Sequence, residues 1–176
     1  MRIFKYVLSL ILFQAIAFGQ SPQSVVCSDG FTPSGCRIVS GTFQLALKQL
    51  RLAIPGWRWI VVSPEAWPNV ATSFGIKPTT PAFSDLGIQS TYVNAALLSF
   101  GTKIDENLQR FSNRTGIDRL RWVVAHEAGH ILCDTRNEEE AQNAGQRLEA
   151  GNRTICRKPV SSQLASQSEV HGAKGD

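Results

Sequence analysis

Residues 123 to 132 read Val-Val-Ala-His-Glu-Ala-Gly-His-Ile-Leu, and this run constrains the fold more than any other part of the chain. Ile117, Leu120, Val124, Ala128 and Ile131 recur at helical spacing, so the segment predicts a helix with one apolar stripe. Thr115 followed by Asp118 has the pattern of a capping box and sets the start; the helix runs to about Cys133. Such a stripe must pack into a domain. On the same helix His126 and His130, four positions apart, share another face, with Glu127 turned about 100° from His126. A chain with three histidines in 176 residues would contain this His-Glu-x-x-His pattern by chance roughly 0.002 times. The third histidine, His171, lies in a Ser/Gln/Gly-rich tail. Two imidazoles one turn apart can hold one metal ion, and the carboxylate beside them can reach a water on its open side. A base at that position is superfluous in a purely structural site.

A second helix follows closely. Asn137 is a good N-cap, and three glutamates in the first turn suit the helix dipole. Gly151 is a natural stop. Glu138 shares a face with Ala141, Gly145 and Leu148, and those small residues allow close approach to the first helix. Glu138 is therefore the preferred third ligand, with Glu139 and Glu140 as alternatives. Glu140 is also the natural capping-box partner of Asn137. Only seven residues separate His130 from Glu138, which requires a tight antiparallel hairpin. Cys133 lies on the same helix face as the histidines. It stands about 10 Å along the axis from His126, too far for one ion to reach both comfortably.

VVAHEAGHIL followed by NEEEAQNAG resembles the gluzincin branch of the zincin metallopeptidases, in which a downstream helix supplies a glutamate ligand. Weaker likeness to ImmA/IrrE-type peptidases extends upstream through Ser90-Thr91-Tyr92-Val93-Asn94. The resemblance covers about residues 90 to 148. It implies Zn2+ held by His126, His130 and Glu138, Glu127 as general base, and hydrolysis of a peptide or protein substrate. It also implies that Ile88 to Asn94 is the sheet edge that holds an extended substrate. Gln142 stands where thermolysin-like sequences carry an aspartate supporting the first histidine; Asp134 is a weak substitute for that role. Tyr92 is a candidate transition-state donor. The rival reading is a secreted zinc-binding structural or interaction protein with an inactive site. Hydrolysis of a non-peptide amide is a further rival.

The remaining chain sets the context. Arg2 and Lys5 precede a short apolar run ending at Ala17-Phe18-Gly19, a signal-peptide pattern with cleavage after Gly19. Its loss lowers the formal charge from +4 to +2, with basic residues scattered, which argues against nucleic acid. No other stretch could cross a membrane. The expected location is secreted or periplasmic, where four cysteines form disulfides by default. Cys27 and Cys36 bracket a turn-rich stretch and pair; Cys133 and Cys156 pair by elimination. Cys27 or Cys36 as a cap on the metal is the sharper alternative.

Residues 20 to 41 read as loop, Phe43 to Ile54 as a helix and Trp57 to Val62 as a buried strand. Ser63-Pro64 can cap a short turn. Residues 69 to 87 read as irregular, with a strand near Ala82-Phe83, and Ile88 to Val93 as a second clear strand. Ile104 to Phe111 looks helical. Trp57, Trp59, Trp67 and Trp122 read as core. The fold class is α+β: a compact zincin-like domain over residues 20 to 158. In it a small sheet packs on the HExxH active-site helix, with a C-terminal backing helix and a disordered tail from 159.

Overall fold

The computed structural model describes residues 21–28, 30–98, 114–152 and 154–156. The expected signal peptide, the helix expected at 104 to 111 and the expected disordered tail lie outside them. The described chain is α+β, and its elements run β1 (Ser24–Cys27), α1 (Pro33–Gln49), β2 (Arg58–Val62), α2 (Trp67–Ser73), β3 (Ala82–Asp85) and β4 (Ser90–Asn94). A 3-10 turn, Ala95–Leu98, then leads on toward α3 (Gly116–Cys133) and α4 (Glu138–Glu149). No helix among the described residues is long and apolar enough to cross a membrane.

The strands form one mixed sheet in the order β1-β2-β4-β3, with β3 antiparallel to β4 and the other pairs parallel. Successive side chains of a strand point to opposite faces. Trp59 and Val61 of β2 and Val93 of β4 therefore join α1 and α3 in the main core, while Val62, Ile60 and Tyr92 pack with Trp67 of α2 on the other face. All four tryptophans are buried, as expected. The HExxH helix α3 packs on the sheet on one side and against α4 on the other. Its stripe behaves as read: Leu120, Val124 and Ala128 are buried, and Ile117 and Ile131 pack at the core's margin.

Three expectations need correction. The stretch read as loop from 20 to 41 holds β1 and the first turns of α1. Thr32 caps that helix by accepting from the Gly35 N–H, with Pro33 in the first turn. The helix starts in poor helix formers because the Cys27–Cys36 disulfide ties it to β1. At its other end α1 stops at Gln49 rather than Ile54. Arg51 adopts a left-handed conformation (φ 51°), and Leu50 and Leu52 turn into the core. Finally, β4 is not the sheet edge near α3. It lies between β2 and β3, so among the described strands the edge on that side is β3.

Helix α2 starts at the turn expected after Ser63-Pro64 and continues to Ser73, into the stretch read as irregular from 69. Ser63 does cap the turn before it, its Oγ accepting from the Ala66 N–H at 3.2 Å. The strand expected near Ala82-Phe83 is β3. The second predicted bridge, Cys133–Cys156, is also present. Neither pair is left to cap or bind a metal.

Candidate metal centre

The site begins with how tightly α3 and α4 approach. A Cβ placed on Gly129 would sit 2.3 Å from the Ala141 carbonyl oxygen, and one on Gly145 would sit 2.8 Å from that of Ala125. Backbone meets backbone at both points, which only glycine permits. Asp134 makes the reversal possible: it closes α3 in a left-handed conformation, φ 47°, which short polar side chains tolerate.

Thr135 then organises the turn. Its carbonyl lies 2.8 Å from His130 Nδ1. Its Oγ1 accepts from the Asn137 N–H and donates to the Glu140 carboxylate. Asn137 caps α4 as predicted, its Oδ1 accepting from the Glu140 N–H at 3.0 Å. Glu140 thus serves the turn through Thr135 and does not reach back to the Asn137 amide. At the start of α3 the capping-box pattern marks the position, yet the Thr115 side chain makes no cap bond; its carbonyl accepts from the Asp118 N–H.

These elements bring His126, His130 and Glu138 together as a group that could hold a metal ion. His126 Nε2 is 3.2 Å from His130 Nε2 and 3.2 Å from Glu138 Oε2, and His130 Nε2 is 3.7 Å from that oxygen. A tetrahedral ion with bonds of about 2.0–2.1 Å needs donor atoms about 3.3–3.4 Å apart. The three separations bracket that value, so the residues fit such an ion. The Thr135 carbonyl accepts a hydrogen bond from His130 Nδ1–H, and in that neutral tautomer Nε2 keeps its lone pair facing the group, as a metal requires. The other predicted supports are not used this way. Asp134 is exposed, and the support for His130 comes from the next residue's backbone. Among the described residues, His126 Nδ1 and Gln142 Nε2 are both buried without a partner. The His126 ring is backed by Trp122, with centroids 6.0 Å apart.

Glu127 points from α3 toward the sheet and is 5 % exposed. Its Oε2 accepts from Ser84 Oγ at 2.7 Å. Burial pushes its carboxyl above the ordinary value of 4.5; the positive potential at His126, the Ser84 hydrogen bond and His130 oppose that shift, while Glu138 adds to it. Ser84 on β3 was not anticipated. It stands 43 positions from Glu127, and no local pattern signals such a contact.

A cavity of about 1080 Å³ opens over the group, with Phe83, Ser84, Trp122, Glu127 and Arg136 in its walls. Glu139 also faces it, but does not join the donor group. The structure does not bring Tyr92 to the site. Tyr92 stacks on Phe83, with centroids 4.9 Å apart, on the sheet face opposite Thr91 and Val93. The alternation of β4 turns Thr91, not Tyr92, toward Glu127.

Compared with protein-family models, with curated proteins and with solved structures, the chain has no match in any of the three.

Proposed function

We propose that this chain is an exported zinc metallopeptidase in which His126, His130 and Glu138 hold Zn2+ and Glu127 is the general base. The observation that supports it most is the pairing of the donor triad with a buried carboxylate beside it, both facing one open cavity. A structural site is ordinarily closed by four protein ligands; here, among the described residues, three donors converge and the remaining side faces the cavity. The choice of zinc follows the mixed imidazole–carboxylate donor set and its tetrahedral spacing.

Zinc bound there would polarise the substrate carbonyl and make a nearby water acidic. The protein's own groups do the rest. Glu127 accepts one proton from that water as its oxygen bonds to the carbonyl carbon. The same carboxyl returns the proton to the amine nitrogen as the carbon–nitrogen bond breaks, so the base is regenerated. The outer edge of β3 suits an extended peptide, since among the described residues its outward backbone groups have no strand partner on that side. The two disulfides fit an oxidising location.

The test combines metal analysis with digestion of a peptide library, with and without chelator. About one zinc per chain and chelator-sensitive cleavage are expected. Glu127→Gln should keep its zinc and lose about 10²–10⁴-fold in turnover. Glu138→Gln should lower zinc affinity first, with activity partly restored by excess zinc. Stoichiometric zinc without cleavage of any peptide would favour a binding protein instead.

A further inference from the structure

The sheet contributes a line of hydrogen bonds that the metal group does not need. Trp57 Nε1 donates to Thr91 Oγ1 at 2.9 Å, Thr91 Oγ1 and Ser84 Oγ are 2.8 Å apart, and Ser84 Oγ is 2.7 Å from Glu127 Oε2. An indole N–H can only donate, so the Thr91 oxygen accepts there and its own proton is free to go on. Ser84 spends its single proton on Glu127, so the bond between the hydroxyls runs from Thr91 to Ser84. The line therefore has one direction, from Trp57 to the carboxylate, with each donor matched to an acceptor. Thr91 is 0 % exposed and Trp57 5 %, so water does not readily substitute for a lost member. Ser84 pairs with Thr91 across the β3–β4 ladder, and directly opposed residues put their side chains on the same face.

We propose that Ser84 is a positioning residue for Glu127, held by Thr91 and Trp57 so that the carboxylate presents its other oxygen to the attacking water. This rests on the metallopeptidase reading for its consequence, though not for its geometry. A glutamate side chain has several rotatable bonds, and among the described residues Ser84 is the group that hydrogen-bonds this carboxylate. Without it, Oε2 loses its partner and the side chain can swing within the cavity. The ligands all belong to α3 and α4, so metal binding does not depend on Ser84.

Ser84→Ala should keep the zinc content and KM of the parent while kcat falls about 10- to 100-fold, the worth of one hydrogen bond to a charged group. Ser84→Thr, which keeps the hydroxyl, should recover most of that loss. In the Glu127→Gln background Ser84→Ala should cost almost nothing more, because the two residues act as a unit. Should the orphaned Thr91 hydroxyl prevent folding, Ser84→Ala with Thr91→Val and Trp57→Phe removes every donor of the line and should show the same fall in kcat. An equal loss in both backgrounds, an unchanged kcat, or no recovery with threonine would overturn the proposal. A protein that cleaves nothing would instead overturn the activity. Crystals of the metal-free protein then decide the positioning alone: Glu127 should be ordered in the parent and the threonine variant and displaced in the alanine variant. A Glu127 that stays in place in Ser84→Ala crystals would end the idea.

Discussion

In the α3–α4 hairpin, the three candidate metal-binding side chains lie within residues 126 to 138, held by one tight turn, two glycine contacts and one disulfide. In the sheet, the groups that reach Glu127 come from positions 57, 84 and 91, on three strands or their margins. The hairpin is local in sequence and determines whether an ion can be held. The sheet is assembled from distant pieces and determines how the carboxylate beside that ion is aimed. Damage to the first should remove metal and activity together. Damage to the second should remove turnover and leave the metal.

The sharpest way to break this comparison is at the histidines. His126→Ala or His130→Ala should abolish stoichiometric metal binding, read by metal analysis of the purified protein, whereas Thr91→Val should bind as the parent does. Full metal retention by His126→Ala would show that the ion is held elsewhere.

The two disulfides give the next largest contrast. Replacing Cys133 and Cys156 by serine should cost about 2–5 kcal/mol in chemical denaturation and also weaken metal affinity, since the bridge clamps the end of α3 close to His130. Replacing Cys27 and Cys36 should cost stability of a similar order without changing affinity, because that bridge joins α1 to β1. Equal affinity losses in both variants would erase the division.

Gly129→Ala tests the close approach of the two helices. The added methyl meets backbone, which cannot swing aside as a side chain end could. A loss of about 1–3 kcal/mol or more is expected, with weakened metal binding. A variant as stable as the parent would mean that the helices can part without consequence.

A pH comparison isolates Glu127. Burial raises its carboxyl pKa above the unfolded value of 4.5. The folded state therefore holds the proton more tightly, and its stability falls as pH rises through the interval above 4.5. Glu127→Gln has no such charge to bury. In the metal-free protein its advantage over the parent should be absent below that interval and largest at neutral pH, measured as the difference in denaturation midpoint. An advantage that shrinks with rising pH would mean the carboxylate is better solvated than its burial indicates. The smallest effect is expected at Glu139, where Glu139→Gln trims only favourable dipole charge, about 0.3–1 kcal/mol, with metal affinity unchanged. A fall in affinity there would move the third ligand by one position.

What could be read in advance follows the same division. The α3 stripe, the face shared by His126 and His130, the alignment of Glu138 with Ala141 and Gly145, and the Cys27–Cys36 pairing involve neighbours in sequence or on one helix, and Cys133–Cys156 then followed by elimination. Helical periodicity and short loops report such relations directly. The start of α1 was hidden because Pro33, Ser34 and Gly35 look like loop residues until Thr32 is seen to cap them. The support Thr135 gives His130 was hidden because it comes from a backbone carbonyl, which any residue carries.

The sequence by itself determined the helix that carries His126, Glu127 and His130, the short return that brings up Glu138, and the small residues that let the two helices touch. These rest on spacing of 3.6 residues per turn and on side-chain size, which are properties of the chain's local order. Only the tertiary structure decided that β3 rather than β4 is the edge beside the cavity, that Tyr92 faces away, and that Ser84 meets Glu127. Those outcomes depend on strand order and register, in which a shift of one residue reverses every side chain. Strand order and register are settled by packing among distant segments, and no local pattern in the chain records the result.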